Sequence, residues 1–316
     1  MSMKNILLDT DIGPDCDDVG ALAMLNLYME DGLCQILGIG HCTSNPYGAG
    51  AIDAVNLYYG HADIPIGSCG RKGFLTDEFC MKYNRPITQT LENRYRDTQP
   101  EPAVRMYRRI LAQQPDKSVD FIAIGPMDNL SDLLNSAADE FSPLNGIQLV
   151  EKKVRQLVAM AGIYPSKNTV QTEKAVKEFG LPFEEIAEYN VMLDIPSAQH
   201  VAESWPGPRT FLGFEAGLVR TGGHLLRGEP GNHPVRMAYQ LYTDRETWFS
   251  WDLMTVEYAV VPDCGHYSLS PAGTVRFDGK GRTLWTPDEN GIDHFIELAA
   301  PENMIAADID HLLLRC

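Results

Sequence analysis

The feature that most constrains the fold of this chain is an acidic cluster between two apolar runs, in NILLDTDIGPDCDDVGALAML at residues 5–25. The run at 5–8 predicts a buried strand, and residues 19–29 predict a helix whose apolar residues cover more than one face. The cluster therefore lies where a strand ends and a helix begins, which is where open α/β sheets bind ligands. Five aspartates fall within ten positions: Asp9, Asp11, Asp15, Asp17 and Asp18.

Buried carboxylates repel one another and lose their hydration, so a cluster of this kind needs a cation, protons or full solvation. Helix capping is the simpler explanation for part of it. Asp17 or Asp18 can cap the following helix and complement its dipole. Capping explains one or two carboxylates, but it leaves Asp9, Asp11 and Asp15 unexplained.

Charge and composition restrict the class of partner. The chain has 316 residues, of which 44% are hydrophobic, and a formal net charge of −17. Such a charge repels nucleic-acid polymers and anionic membrane surfaces, whereas a small neutral ligand or a metal cation is compatible with it. The seven cysteines form no CxxC pair, which argues against a zinc site or a disulfide framework and favours a reducing compartment.

The sequence predicts a cytoplasmic protein. The N-terminal stretch MSMKNILLDT lacks the apolar region and cleavage site of a signal peptide. Apolar runs stay shorter than a membrane span.

Strand-like and helical stretches alternate along the chain, and this order predicts an α/β fold: an open, mostly parallel central sheet with helices on both faces. We find no linker or repeat and predict a single domain over residues 1–316. Residues 209–255 are less regular and rich in aromatic residues and glycine, which indicates loops over a site. The predicted strands are CQILGIGHC, DFIAIGP, RQLVAMAG and RTFLGFEAG, and the helical stretches include AGAIDAVNLYYG, PAVRMYRRILAQQ and IPSAQHVAESW.

Two interpretations of the acidic loop fit poorly. An EF-hand calcium loop requires an Asn or Asp where Gly13 stands, a Gly where Pro14 stands and a final Glu where Gly20 stands. An aspartyl phosphatase of the haloacid dehalogenase type also places Asp-x-Asp after its first strand. That family does not use a second acidic pair in this way, so it is a weaker alternative.

The segment DTDIGPDCDD resembles the N-terminal signature of the nucleoside hydrolases, in which Asp-x-Asp is followed by Gly and by an Asp-Asp pair that opens a helix. Further segments follow in that family's order, so the resemblance spans about residues 5–260. They are GHCTSNP ending at Asn45 and Pro46, GPMDN at 125–129, AEYN at 187–190 and WD at 251–252. The resemblance implies an inosine-uridine preferring nucleoside hydrolase, a calcium-dependent enzyme that hydrolyses the N-glycosidic bond of ribonucleosides.

The resemblance also implies a role for each matched residue. Carboxylates and one backbone carbonyl would bind Ca²⁺, a cation that prefers six to eight oxygen ligands. Asp11 would in addition be the base that activates the attacking water. The implied metal ligands are Asp11, Asp18, Asp252 and the carbonyl of Asp128, with Asp15 as a possible addition, and the implied ribose-binding residues are Asp17, Asn45, Glu188 and Asn190.

Taken singly, the ribose-binding residues have structural explanations. Asn45 precedes Pro46 and can be a turn residue, while Glu188 and Asn190 can cap the helix that follows them. Their joint occurrence, in the family's order, favours a ribose site.

Three departures from the family pattern affect the chemistry. The acidic loop is two residues longer than usual, so Asp15 has no counterpart in the shorter motif. Pro182 stands where the family often has an Asn that contacts the sugar. Trp251 stands where pyrimidine-preferring and nonspecific members have a His that protonates the base. The purine-specific branch similarly has Trp here, which predicts that Trp251, with Trp248, stacks on a purine.

Three hypotheses follow. The first is a calcium-dependent nucleoside hydrolase that favours purine nucleosides, and relatives of this kind commonly form homodimers or homotetramers. The second is a related hydrolase of another ribosyl or glycosyl compound. The third is a noncatalytic binder of metal and ribose. His41, His224 and His233 are alternative proton donors for the base, although a lone His is more often structural.

Overall fold

Strands and helices alternate along most of the chain in this computed structural model, which describes residues 3–167, 169–244 and 246–315. The strands are β1 (Lys4–Thr10), β2 (Cys34–His41), β3 (Ile66–Ser68), β4 (Glu101–Pro102), β5 (Val119–Ile124), β6 (Val154–Met160), β7 (Arg209–Leu212), β8 (Arg220–Thr221), β9 (Trp248–Phe249), β10 (Tyr267–Leu269), β11 (Gly273–Phe277), β12 (Thr283–Pro287) and β13 (Asp293–Leu298). The α-helices are α1 (Asp17–Glu30), α2 (Gly48–Tyr58), α3 (Asn84–Thr90), α4 (Ala103–Gln113), α5 (Asp128–Asn135), α6 (Gly146–Lys153), α7 (Thr169–Phe179), α8 (Tyr189–Leu193), α9 (Ile195–Ser204), α10 (Pro234–Tyr242), α11 (Trp251–Val260) and α12 (Glu302–Leu313).

The central sheet confirms the predicted α/β class. Its strand order is β12-β11-β13-β7-β6-β5-β1-β2-β3-β4, and the pairs from β13 through β7 to β4 are parallel. Strands β10, β11 and β12 add antiparallel pairs at the β13 end. A separate antiparallel pair joins β8 to β9.

Helices cover both faces of this sheet, because the central strands alternate their apolar side chains between two buried clusters. In β1, Ile6 and Leu8 join the cluster that includes α1, α2 and α11, while Leu7 joins the cluster that includes α4, α5 and α9. A strand buried on both faces reads as a continuous apolar run, as residues 5–8 do. Among the described residues, none of the helices combines the length and apolarity that crossing a membrane requires.

The structure differs from two of the sequence-based expectations for residues 209–255. The segment RTFLGFEAG is a strand only as far as Leu212, and the chain then turns over residues 214–217. The region 209–255, expected to be irregular, contains helices α10 and the start of α11. Pro234 at the beginning of α10 is a helix-start signal, and the side chain of His233 caps this helix.

A buried ion pair fixes β7 against β13. Both oxygens of Asp293 accept hydrogen bonds from the Arg209 guanidinium, at 2.6 and 2.8 Å, and Asp293 also accepts one from the backbone N–H of Val275. Arg209 is 4% exposed and Asp293 is fully buried. Removing the cation would leave an unpaired buried carboxylate, which is far more costly than losing a surface pair.

We expect Arg209→Met to lower the free energy of unfolding by about 3–5 kcal/mol, because Asp293 then has no charged partner. Arg105→Met is the matched control, since Arg105 pairs with Glu140 on the surface, and it should cost less than about 1 kcal/mol. Urea unfolding of both variants measures the difference. Equal losses would show that the buried pair contributes no more than the exposed one.

Candidate active site

The acidic loop lies at the carboxyl edge of the sheet, at the point where the strand order reverses. Thr10, the last residue of β1, pairs with His41 of β2 on one side and with Ile124 of β5 on the other. The chain runs outward from β1 to β4 and then returns to β5 on the other side of β1. A reversal of this kind opens a crevice beyond the strand ends, where α/β proteins bind ligands.

Side chains from α3 and β1 hold the acidic loop in place. The Tyr83 hydroxyl donates to the backbone carbonyl of Asp15 at 2.5 Å, and the Asn84 amide donates to that of Ile12 at 3.2 Å. The Thr10 hydroxyl donates to the Asp18 carboxylate. The loop is thus fixed by its backbone, which leaves several of its carboxylates directed at one another.

Close packing of α1 against α11 brings distant aspartates together. A Cβ atom on Gly20 would lie 2.5 Å from the Tyr239 hydroxyl and 3.1 Å from Leu253, so a larger residue would force these two side chains to shift. The N-termini of the two helices therefore meet, and the backbone N–H of Asp252 donates to Asp17 at 3.1 Å. Carboxylate oxygens of Asp15, Asp17 and Asp252 all lie within 4.8 Å of one another.

Electrostatics make this cluster unfavourable without a cation. Burial, followed by repulsion from neighbouring carboxylates, raises the pKa values of Asp11, Asp17, Asp18 and Asp252 well above their usual range. Burial likewise raises the pKa of Asp15. Buried carboxyl groups that raise one another's pKa values are expected at a site where a cation offsets their charge.

The donor set fits a hard cation. Asp17 Oδ1 and Asp18 Oδ2 are buried without a hydrogen-bond partner, although buried carboxylate oxygens are normally satisfied. Clustered carboxylate oxygens are the ligands that Ca²⁺ and Mg²⁺ prefer. The acidic group can therefore bind a metal ion.

A cavity of about 320 Å³ opens beside this group. Its wall includes the carboxylates of Asp11, Asp15, Asp17 and Asp252, together with the sequence-predicted residues Glu188, Asn190, Trp248 and Trp251. The structure thus brings together residues separated by as many as 241 positions in sequence, from Asp11 to Asp252. A volume of this size is that of a small-molecule site.

Seven aromatic rings form a continuous series along the same cavity, and we call them the aromatic wall. Each ring centroid lies 4.6–6.3 Å from the next one, which is the distance range of favourable ring pairs. In order, the wall consists of Phe179, Phe214, Trp251, Phe249, Trp248, Tyr242 and Phe79.

The side chain of Trp251 is held in one position in this wall. Its indole N–H donates to the backbone carbonyl of Phe214 at 2.8 Å. A Cβ atom on Gly217 would lie 2.0 Å from the indole ring and 2.7 Å from the Trp251 Cα, so glycine is required beneath the side chain. Because its single N–H is occupied, Trp251 offers the cavity its ring rather than a hydrogen-bond donor.

Glu188 and Asn190 both line the cavity and take part in hydrogen bonds that hold the start of α8. Glu188 caps α8 by accepting from the backbone N–H groups of Asn190 and Val191, and it also accepts from Gly162 at 3.1 Å. Burial raises the pKa of Glu188 to about 7. The Asn190 amide donates to the carbonyl of Met160, so both side chains are tied to the end of β6.

Asn45 lies apart from the main cavity. Its amide N–H donates to the carbonyl of Cys80 at 2.8 Å, and its oxygen accepts from the N–H of Tyr47 at 3.0 Å. It lines a second, polar cavity of about 140 Å³ together with His41 and Arg71. Asn45 thus holds the chain near Cys80, and its sugar contact stays a prediction.

Asp18 and Asp128, two of the predicted metal ligands, are each 1% exposed and, in the described part of the chain, are not among the residues that line the cavity. Asp128 begins α5, and burial, with a contribution from Asp9, raises the pKa of its side chain to about 8. Asp9 is turned toward the other face of the sheet, where it accepts hydrogen bonds from Tyr107 and Asn129. Asp9 is thus a structural member of the acidic cluster, tying β1 to α4 and α5.

The three histidines considered as proton donors are all engaged elsewhere. His41 is bonded to Thr43, and burial lowers its pKa to about 3. His224 contacts the carbonyl of Leu313, and His233 caps α10. Among the described residues, none of those lining the main cavity is a His, Lys or Arg.

Sequence reasoning missed most of the aromatic wall. Phe79, Phe179, Phe214, Tyr242 and Phe249 are scattered over 171 positions and belong to no motif. The only available signal was the aromatic content of residues 209–255, which contributes three of these five.

Comparisons with known proteins place this geometry in a family. The sequence profile of the inosine-uridine preferring nucleoside hydrolases matches residues 6–309. No curated protein sequence matches the chain significantly.

Three similar solved structures share the fold. An inosine-uridine preferring nucleoside hydrolase from Bacillus anthracis has a TM-score of 0.70 at 16% identity, with 98% of this chain and 99% of that chain covered. A purine-preferring ribonucleoside hydrolase from Gardnerella vaginalis has a TM-score of 0.70 at 16% identity, covering 99% and 100%. The type III effector protein XopQ, complexed with adenosine diphosphate ribose, has a TM-score of 0.69 at 15% identity, covering 98% and 92%.

Proposed function

Because the chain belongs to the inosine-uridine preferring nucleoside hydrolase family, we propose that it is a calcium-dependent ribonucleoside hydrolase that favours purine nucleosides. Membership of the family makes it a hydrolase of N-glycosidic bonds. The observation that carries the finer proposal is the cavity itself, in which a carboxylate cluster and a wall of seven aromatic rings line one space. Carboxylates suit a cation and a ribose, and the rings suit a base.

Calcium would be held by the acidic group. The ligands we propose are Asp11, Asp18, Asp252 and the Asp128 carbonyl, with Asp15 as a further ligand because its oxygen lies within 4.8 Å of those of Asp17 and Asp252. When bound, the cation would acidify a water molecule and orient the sugar hydroxyls. The longer loop would thus give this chain one more carboxylate ligand than the common motif provides.

Asp11 is the proposed general base. It directly follows β1, lines the cavity and is 4% exposed. Its carboxylate would accept a proton from the water that attacks the anomeric carbon. Positive charge that develops on the sugar would be stabilised by the fixed oxygens of Asp17, Glu188 and Asn190, which need no rearrangement.

The aromatic wall would bind and activate the base. A purine presents a larger ring surface to stack on Trp251 than a pyrimidine, and N7 of the departing purine can take a proton. We expect ribose release from inosine and guanosine to exceed release from uridine. A colorimetric assay of reducing sugar on this panel, with calcium present, tests the assignment, and a uridine preference would contradict it.

A noncatalytic binder of metal and ribose is the second candidate. It is favoured by the lack of a His, Lys or Arg among the described residues lining the cavity. Ribose binding measured by calorimetry, without ribose release from any nucleoside of the panel, would support this candidate over the hydrolase.

We expect Trp251→Ala to lower kcat/KM on purine nucleosides by roughly tenfold to a hundredfold, because stacking of a base on an aromatic side chain contributes about 1–3 kcal/mol. A nitrophenyl riboside has a leaving group that requires no protonation, so its kcat/KM should fall much less. Steady-state kinetics of both substrates on wild type and variant provide the comparison. Equal losses would show that Trp251 shapes the cavity without activating the base.

A further inference from the structure

The departing base poses a problem of electron balance. When the C1′–N bond breaks, its electron pair stays on the base, and a neutral base must be protonated to leave easily. The Trp251 N–H is occupied by the Phe214 carbonyl. Tyr189 and Tyr242 line the cavity, but an ordinary phenol has a pKa of about 10 and is a weak proton donor at neutral pH.

The charge of the cavity favours positively charged ligands. Its lining includes Asp11, Asp15, Asp17, Asp252 and Glu188, together with Glu178 at the end of α7. A bound divalent cation carries two positive charges against the six carboxyl groups of this lining, and the exposed Glu178 lies outside its proposed ligand set. A site lined by carboxylates attracts cations and repels phosphorylated compounds.

The aromatic wall already attracts cations on some of its rings. Lys82 Nζ lies 4.8 Å from the centroid of Phe79 and 4.9 Å from that of Tyr242, and Arg220 lies 4.2 Å from that of Phe249. In the part of the chain that the structure describes, no Lys or Arg side chain lies over the ring of Trp248 or Trp251 in this way. Indole is the ring that binds cations best, and both indoles line the cavity.

We infer that the preferred substrates of this cavity are ribonucleosides whose base carries a fixed positive charge, such as purines alkylated at N7. The inference rests on the proposed nucleoside hydrolase function and specifies its substrate class. Such a base leaves as a neutral molecule, so the reaction requires no acid at the base. Water forms the new C1′–O bond, the C1′–N9 electron pair neutralises the base, and the proton of the water passes to Asp11 and then to solvent.

Binding of hydrolysis-resistant bases tests the inference independently of turnover. We would measure 7,9-dimethylguaninium, a cation, and 9-methylguanine, its neutral counterpart, by calorimetry on the calcium-loaded protein, in mildly acidic buffer where N1 keeps its proton. The cation should bind at least about tenfold more tightly. Equal or tighter binding of 9-methylguanine would overturn the inference.

Two variants identify the origin of the preference. Trp248→Leu keeps an apolar side chain but removes the ring, so the preference for the cation should fall to within about threefold. Glu178→Gln removes one exposed charge at the cavity and should also reduce the preference for the cationic base. Glu173→Gln, on the same helix but away from the cavity, should leave this preference unchanged. An undiminished preference in both Trp248→Leu and Glu178→Gln would overturn the assignment to this cavity.

Turnover separates this inference from the proposed function. Ribose release from guanosine and from N7-methylguanosine would be compared with release from a neutral nitrophenyl riboside, which controls for leaving-group reactivity. N7-methylguanosine should have the lowest KM of the three. Turnover of guanosine without a preference for the cationic base would leave the proposed function standing and reject the inference, whereas absence of turnover on all three would reject the proposed function.

Discussion

Replacing Asp11 by Asn should lower kcat on inosine by about a thousandfold or more while the protein stays folded. General-base catalysis contributes about 10²–10⁴-fold, and Asp11 is proposed to be a metal ligand as well. Asn has nearly the same shape but accepts no proton. Since burial, and then repulsion from neighbouring carboxylates, raises the pKa of Asp11, loss of its charge relieves both costs and should not unfold the loop.

Kinetics at saturating calcium, with circular dichroism and thermal unfolding on the same samples, would test this expectation. Asp263→Asn is the matched control, because Asp263 is an exposed aspartate just beyond the far end of α11. It should retain wild-type kcat. An Asp11→Asn variant with nearly wild-type turnover would mean that another group removes the proton.

The fold was predictable where local sequence carried the signal. Residues 5–8 lie in a strand buried on both faces, and such a strand shows its continuous apolar run directly in the sequence. The Gly and Pro residues after β5 and β6, the apolar run of α1 and the helical patterns of α4 and α9 were similarly local. The antiparallel strands β10 to β12 were not predicted, because β10 and β12 are largely exposed and the position of all three depends on distant β13.

The candidate site was predictable only in part, for a physical reason. Motifs report residues adjacent in sequence, so they identified the acidic loop. That Asp252 joins this loop was implied only by the family resemblance, since no local motif shows that α11 packs against α1. The sequence also did not indicate that the carboxylate of Asp17, predicted to bind the sugar, lies within 4.8 Å of those of Asp15 and Asp252.

Asn45 shows what a motif leaves out. Its place in a matched segment implies a sugar contact, but the segment does not report that residues 75–80 hold its amide. Both polar ends of the side chain are satisfied by backbone groups of Cys80 and Tyr47. No sequence pattern reports such a long-range hydrogen bond.

We expect the effect of Asp252→Asn on the free energy of unfolding to change sign when calcium is added. Without calcium, Asp252→Asn should raise the free energy of unfolding by on the order of 1 kcal/mol, because it removes one of several like charges packed within a few ångströms. With calcium, the wild type should gain stability as the ion binds the folded state, and the variant should gain little.

The expected loss of calcium affinity in Asp252→Asn is about a hundredfold or more, since an amide oxygen replaces a charged ligand in a site built from few residues. Calcium titration by calorimetry measures the affinity, and thermal unfolding with chelator or with excess calcium measures both stability effects, with Asp263→Asn again as the control. Because Asp252 Oδ atoms and those of Asp15 and Asp17 lie within 4.8 Å of one another, repulsion and ion binding share the same atoms. A variant that is destabilised in chelator would show that Asp252 supports the fold without the ion, and one that keeps wild-type calcium affinity would place the ion elsewhere.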